Sequence, residues 1–286
     1  SATATTGNIT QSAALAITGV TTIAADSGNN ITLSNTSNNF QAAVRITSGN
    51  NVTLVDAGAI DLGASTVSGT YAVTATAGGD ITDSGVLAIT GTSTFTVADG
   101  QSVILDESST FSTVTFASAG TIASVEINDS NTIDLGELTV ASNLTVTAGG
   151  AVTNSGTLVV PGTATISASG HNVTLNTATN NFGTAVLTGA DVSIRDTDAI
   201  ILGASTVSGA LSVTATTGNI TQSGALDIEG TTTLVTAAQG ATIVLGTATN
   251  AFGTLLITTN DNDAAPNDTD GDVTISAGSG AVLDFG

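Results

Sequence analysis

Along most of the chain, apolar residues alternate with Thr, Ser or another polar residue in runs of a few positions, and the runs end in Gly or Asn. Val44-Arg45-Ile46-Thr47-Ser48 leads through Gly49-Asn50-Asn51 to Val52-Thr53-Leu54. Leu144-Thr145-Val146-Thr147 leads through Gly149-Gly150 to Val152-Thr153. A period of two is the mark of a strand with one buried face. Gly and Asn supply the turn conformations that other residues resist. The pattern predicts short strands and tight turns from end to end, with almost no helix.

The runs repeat. Gly7-Asn8-Ile9-Thr10-Gln11-Ser12 returns as Gly218-Asn219-Ile220-Thr221-Gln222-Ser223, with looser copies at residues 79–84 and 150–155. From Ile9 to Ile81, Val152 and Ile220 the steps are 72, 71 and 68 residues. A regular period of this size predicts an array that buries its core between neighbouring copies. Taking the first apolar residue after each turn gives twelve anchors: Ile9, Ile31, Val52, Ile81, Val103, Val125, Val152, Val173, Val192, Ile220, Ile243 and Val273. Most steps are near 21 residues, and every third is near 28. One unit then reads as three coils, two short and one long, the long one carrying the insertion Ala59-Ile60-Asp61-Leu62-Gly63-Ala64-Ser65-Thr66-Val67-Ser68-Gly69. Gly203 to Gly209 repeats Gly63 to Gly69. Phe40, Phe111, Phe182 and Phe252, spaced by 71, 71 and 70 residues, mark one corner of each unit as core fillers.

The expected fold is therefore all-β: a right-handed parallel β-solenoid of about twelve coils, with right-handed crossover taken as the default. It runs as one continuous body over residues 1–286, in units of roughly 1–69, 70–140, 141–209 and 210–286. At the usual spacing between strands twelve coils would span about 55–60 Å.

Composition fits this. Aromatic residues are 3% of the chain, so Val, Ile, Leu and Ala must fill the core, and Thr, Val and Ile suit strands. Twenty-three acidic residues face only Arg45 and Arg195, for a net charge of −21. Phosphate recognition needs clustered Lys and Arg, which argues against nucleic acid and against anionic membrane surfaces. Cysteine is absent, so there is neither a disulfide framework nor a thiolate metal site. No uncharged apolar run approaches the ~20 residues of a membrane-spanning helix.

The Gly-Asn-Ile-Thr-Gln-Ser, Ala-Ile-Asp-Leu-Gly-Ala-Ser-Thr-Val-Ser-Gly and Asn-Asn-Phe elements resemble the repeat arrays of filamentous-haemagglutinin-type exoproteins and giant bacterial adhesins. The resemblance covers essentially the whole chain. It implies a right-handed β-helix shaft, export from a Gram-negative cell and a role in surface adhesion or matrix. The Asn-Pro-rich secretion module of those exoproteins is not in this sequence, and no functional residue carries over.

Candidate chemistry is sparse. His171 lies in the turn Ser169-Gly170-His171-Asn172, where other copies carry Asn, and reads as a turn residue; no catalytic residue is assigned and no enzyme is expected. The segment from Asp261 to Asp272 breaks the repeat. Its carboxylates Asp261, Asp263, Asp268, Asp270 and Asp272 resemble part of a calcium loop, without the closing Glu of an EF-hand. Calcium is thus a candidate ligand; no cofactor is required. Thr pairs such as Thr74-x-Thr76, Thr94-x-Thr96 and Thr145-x-Thr147 offer a second surface, for ice or carbohydrate, and β-helix polysaccharide enzymes share the expected fold.

The two ends match the repeat at nearly the same point. Residues 1–7 follow 212–218 with one change, and residues 281–286 resemble Ala59-Ile60-Asp61-Leu62-Gly63. Uncovered sheet edges pair readily. The expected partners are therefore further copies or further repeats, stacked end to end. The overall expectation is an extracellular bacterial shaft of an adhesin or filament.

Overall fold

The structure, a computed structural model, describes residues 1–247, 249–260 and 271–278. The chain is all-β, a parallel β-solenoid of about twelve turns, with no helix among the described residues. It divides into two compact units, Ser1–Ala141 with Thr145–Ala148, and Ser142–Leu144 with Gly149–Gly286.

In the first unit one column of stacked parallel strands runs through Ile9–Thr10, Ile31–Leu33, Val52–Asp56, Tyr71–Ala75, Thr92–Val97 and Thr113–Ser118. Ile9 pairs with Ile31, Ile31 with Val52, Val52 with Tyr71, Tyr71 with Ser93 and Ser93 with Val114. The second column runs through Thr21–Ala25, Val44–Ser48, Ile60–Leu62, Ile81–Asp83, Val103–Ser109 and Val125–Asp129. Here Val44 pairs with Leu62, Ile60 with Ile81, Ile81 with Val103 and Val103 with Val125.

These pairings correct the expected long coil. Val52 is followed in its column by Tyr71, and Ile81 is preceded in its own by Ile60. The Ala-Ile-Asp-Leu-Gly insertion is itself a rung, so the turns stay near 21 residues and the long step disappears. A repeat of ~71 residues then holds about three and a half turns rather than three. The half turn moves each motif to the other column: Ile9 stands in the first and its counterpart Ile81 in the second.

The second unit shows the same exchange on its own. Val152 heads a column through Val173, Val192, Leu211 and Thr232. Its counterpart Ile220 stands in the other column, between Ile200 and Ile243. Spacing along the chain counts residues between motifs and is blind to which face they reach.

Alternation delivers one residue in two to the interior. Ile31, Ile46, Leu54, Ile60, Leu62, Val73, Ile81, Val103 and Leu105 are all buried, each contributing about 1.5–3 kcal/mol over its exposed state. Phe40, Phe111 and Phe182 are buried as expected; Phe252 is only half-buried. Phe95 adds a cluster the repeat does not announce, with ring centroids 6.2 Å from Tyr71, 6.1 Å from Phe111 and 6.2 Å from Phe116.

Two glycine positions show why the Gly-Asn-Ile-Thr motif begins as it does. A Cβ on Gly79 would lie 2.1 Å from the Ala59 nitrogen, and one on Gly218 would lie 2.6 Å from the Ala199 nitrogen. The preceding Ala-Ile-x-Leu rung passes too close for any side chain.

Candidate functional site

The acidic segment falls largely outside the described residues: Asp261, Asp263, Asp268 and Asp270 lie there. Asp272 is exposed, and its carbonyl accepts the Ile243 N–H at 2.9 Å. Among the described residues no group of three or more His, Cys, Asp or Glu side chains could hold a metal ion. His171 is exposed in its turn, after Gly170 at φ 75°, with its N–H donated to the Ala168 carbonyl at 2.8 Å.

The Thr pairs do not stack as pairs. Thr74 lies beside Thr96, not Thr94, and Thr94 lies between Ala72 and Thr115. What forms instead is a single outward column, Thr10, Thr32 and Thr53, then Ala72, then Thr94 and Thr115.

The structured polar chemistry lies elsewhere, at the corner two residues before each marker phenylalanine. Asn38, Asn180 and Asn250 are buried there. In the fourth repeat, Asn250 and Gln222 exchange side-chain hydrogen bonds in both directions, at 2.9 and 2.8 Å. Asn250 Oδ1 also accepts the Leu226 N–H at 3.0 Å, and its Nδ2 donates to the Ser276 carbonyl at 3.0 Å. Asn38 and Gln11 repeat the two-way exchange in the first, at 2.7 and 3.0 Å. In the third repeat Asn154 replaces Gln and is one methylene shorter. It donates to Asn180 at 3.0 Å, while its own oxygen finds no partner.

The second repeat departs from this scheme. Ser109 stands at the Asn position and accepts the Leu87 N–H at 2.9 Å. Asp83 stands at the Gln position, with one buried carboxylate oxygen lacking a partner. Burial pushes its pKa up to about 7; the Glu107 N–H draws it back, and the charge of Asp106 adds to the rise.

A second buried element was not recognised in the sequence. Strands Val52–Asp56, Val125–Asp129 and Val192–Asp196 each end in a buried aspartate. Asp56 accepts the Phe40 N–H at 2.6 Å and the Gly58 N–H at 2.7 Å. Asp196 accepts the Phe182 N–H at 2.7 Å and the Asp198 N–H at 2.8 Å. Asp129 accepts from Asn131 at 2.9 Å and, more weakly, from Phe111 at 3.4 Å. Burial raises the Asp196 pKa to about 6 against the pull of the two N–H donors, and burial raises that of Asp129 as well. The signal was present in Val-Thr-Leu-Val-Asp, Val-Glu-Ile-Asn-Asp and Val-Ser-Ile-Arg-Asp, three runs that each close on Asp where a wet-face residue would do.

These carboxylates and amides divide their capacity between backbone groups of their own turn, backbone groups of the adjacent rung and one another. Such an arrangement fixes a corner and the register between turns.

Comparison with family models places four matches end to end on the chain, at residues 1–47, 49–118, 119–188 and 189–259, all to the family described as repeats of unknown function (DUF5649). The chain belongs to that family. No curated protein and no solved structure matches it. The DUF5649 repeat thus corresponds to one ~70-residue unit, in which the marker-phenylalanine corner occurs once, as Asn-x-Phe in three repeats and Ser-x-Phe in the second.

Proposed function

We propose that the chain is an extracellular structural element, a stretch of shaft from a bacterial surface adhesin or self-assembling filament. One observation carries the reading. Buried side chains recur from repeat to repeat as clamps between successive rungs, Asn or Ser at the corner and Asp at the strand end. Polar groups kept for registry suit a chain whose task is to hold its own form along its length. The resemblance to exoprotein and adhesin arrays supports the export and surface part of the proposal. The 21-residue excess of acidic over basic groups supports solubility of an otherwise aliphatic body.

The test is location and accessibility in the cell that makes the protein. Antibody labelling and protease shaving of intact Gram-negative cells are expected to reach the chain. Recovery only from the cytosol would refute the proposal.

A surface-binding module for ice or carbohydrate is the second reading, favoured by the outward Thr column. Ala72 interrupts it and the pairs are out of register. Purified protein that leaves ice-crystal habit unchanged would dismiss the ice form of this reading.

A further inference from the structure

One position in the corner scheme is an amide in three repeats and a carboxyl in the second. The amide donates to the carbonyl two residues ahead: Gln11 to Ala13, Asn154 to Gly156 and Gln222 to Gly224, each at 2.7 Å. The oxygen of the same side chain accepts an N–H from the corner, Asn35 on Gln11 at 3.3 Å and Thr247 on Gln222 at 3.2 Å. In the second repeat the residue is Asp83, followed by Ser84-Gly85 as Asn154 is followed by Ser155-Gly156. Asp83 Oδ1 keeps the acceptor role and takes the Glu107 N–H at 3.4 Å. Oδ2 is left in the place of the amide nitrogen, buried and without a partner. Asn154 shows that a side chain of this length reaches the carbonyl two residues on. Aspartate matches asparagine in length, and only its protonated form has a hydrogen to donate.

The surroundings favour that form. Asp83 is 8% exposed. Strand Val103–Ser109 bulges beside it: Leu105 pairs with Ile127 and Ser109 with Asp129, so Asp106, Glu107 and Ser108 stand opposite Asn128 alone. All three are exposed. The bulge sets the Asp106 carboxylate next to Asp83. On the other side, Asp61 of strand Ile60–Leu62 is acidic too and accepts the Ser84 hydroxyl at 2.9 Å. Neither flanking strand contains Lys, Arg or His, and Arg45 lies over Gly63, one rung further back. A charge on Asp83 would be buried among like charges, so the carboxyl keeps its proton to higher pH.

We propose that the folded chain carries Asp83 as a neutral carboxylic acid, its Oδ2–H donated to the Gly85 carbonyl in place of the amide, and that loss of this proton opens the bulged corner of Asp106, Glu107 and Ser108. The ionised side chain has no hydrogen for Gly85 and sets a second negative charge beside Asp106. Opening the exposed bulge lets water reach that charge. The second repeat thereby holds a proton-operated latch whose counterparts are closed by amides that do not titrate. The latch does not depend on the shaft reading.

The test has two readouts on the whole chain. Carbon-13 NMR of the aspartate side-chain carboxyls is expected to show Asp83 titrating at about 7. Titration near 4, as for a free aspartate, would overturn the inference. Cleavage after Glu107 by a glutamate-specific protease reads the corner. Asp83→Asn keeps the donor at every pH, and comparing the two chains at one pH cancels the pH dependence of the protease. The wild type is expected to be cut at the same rate as Asp83→Asn at about pH 5 and about tenfold faster at about pH 8, one unit above the titration. Equal rates at the higher pH would overturn the latch. Asp106→Asn is expected to leave the corner closed at about pH 5; faster cleavage there would make Asp106 the acceptor and overturn the Gly85 contact. Circular dichroism and melting check that the variants fold. If Asp83→Asn does not, Asp83→Gln, the residue of the first and fourth repeats, replaces it.

Discussion

The second and fourth repeats solve one structural problem with different chemistry. In the fourth, Gln222 and Asn250 satisfy each other and five backbone groups, the Leu226 and Thr247 N–H groups and the Gly224, Leu245 and Ser276 carbonyls. In the second, Asp83 and Ser109 occupy those places, one carboxylate oxygen is orphaned, and one backbone donor is met by a hydroxyl. The same repeat holds the Tyr71, Phe95, Phe111 and Phe116 ring cluster. The fold therefore tolerates loss of the amide clamp where aromatic packing supplements the core. Registry and burial are partly interchangeable here, and each can be removed separately.

The largest effect is expected from the rings. Phe95→Ala empties a fully buried site touching three aromatic neighbours and should lower unfolding free energy by about 3–5 kcal/mol, read from urea titration. Asn250→Ala strands the Leu226 N–H and the Leu245 and Ser276 carbonyls; the expected loss is about 2–3 kcal/mol. Ser109→Ala strands one N–H and should cost about 1 kcal/mol. Equal losses from Asn250→Ala and Ser109→Ala would break the comparison. Rebuilding the amide clamp in the second repeat, with Asp83→Gln and Ser109→Asn together, is expected to raise stability by about 1–2 kcal/mol. A loss would show that the rings leave no room for it.

The last effect is one of pH. An aspartate in the unfolded chain titrates near 3.9, whereas Asp83 is raised to about 7 and Asp196 to about 6. Between about pH 4 and 7 the folded chain holds more protons than the unfolded one, so stability falls as pH rises through that window and levels off above it. Melting temperatures should follow this slope, and Asp83→Asn should flatten its upper part.

Much of the architecture was legible because it is local. Val-Thr-Leu alternation and Gly-Asn turns name strands and corners without reference to any neighbour, and the phenylalanine period locates the buried corner. What was not legible depends on which rung lies against which. Ile60-Asp61-Leu62 read as an insertion because it lengthens the distance between anchors; only its pairing with Ile81-Thr82-Asp83 reveals it as a turn of the ladder. Likewise the burial of Asp56, Asp129 and Asp196 becomes evident only when the Phe40, Phe111 and Phe182 N–H groups are seen to end on them.

The central claim is that each repeat contains about three and a half turns, so that successive copies of a motif occupy opposite columns. The chain has no cysteine, which makes paired substitution a clean reporter. Asp61 and Thr82 are register neighbours, within the range a disulfide can bridge. Thr53 and Thr82 would be neighbours only if the unit were three whole coils. On mild oxidation, Asp61→Cys with Thr82→Cys is expected to form an intramolecular disulfide and Thr53→Cys with Thr82→Cys is not. A disulfide in the second pair and none in the first would contradict the account.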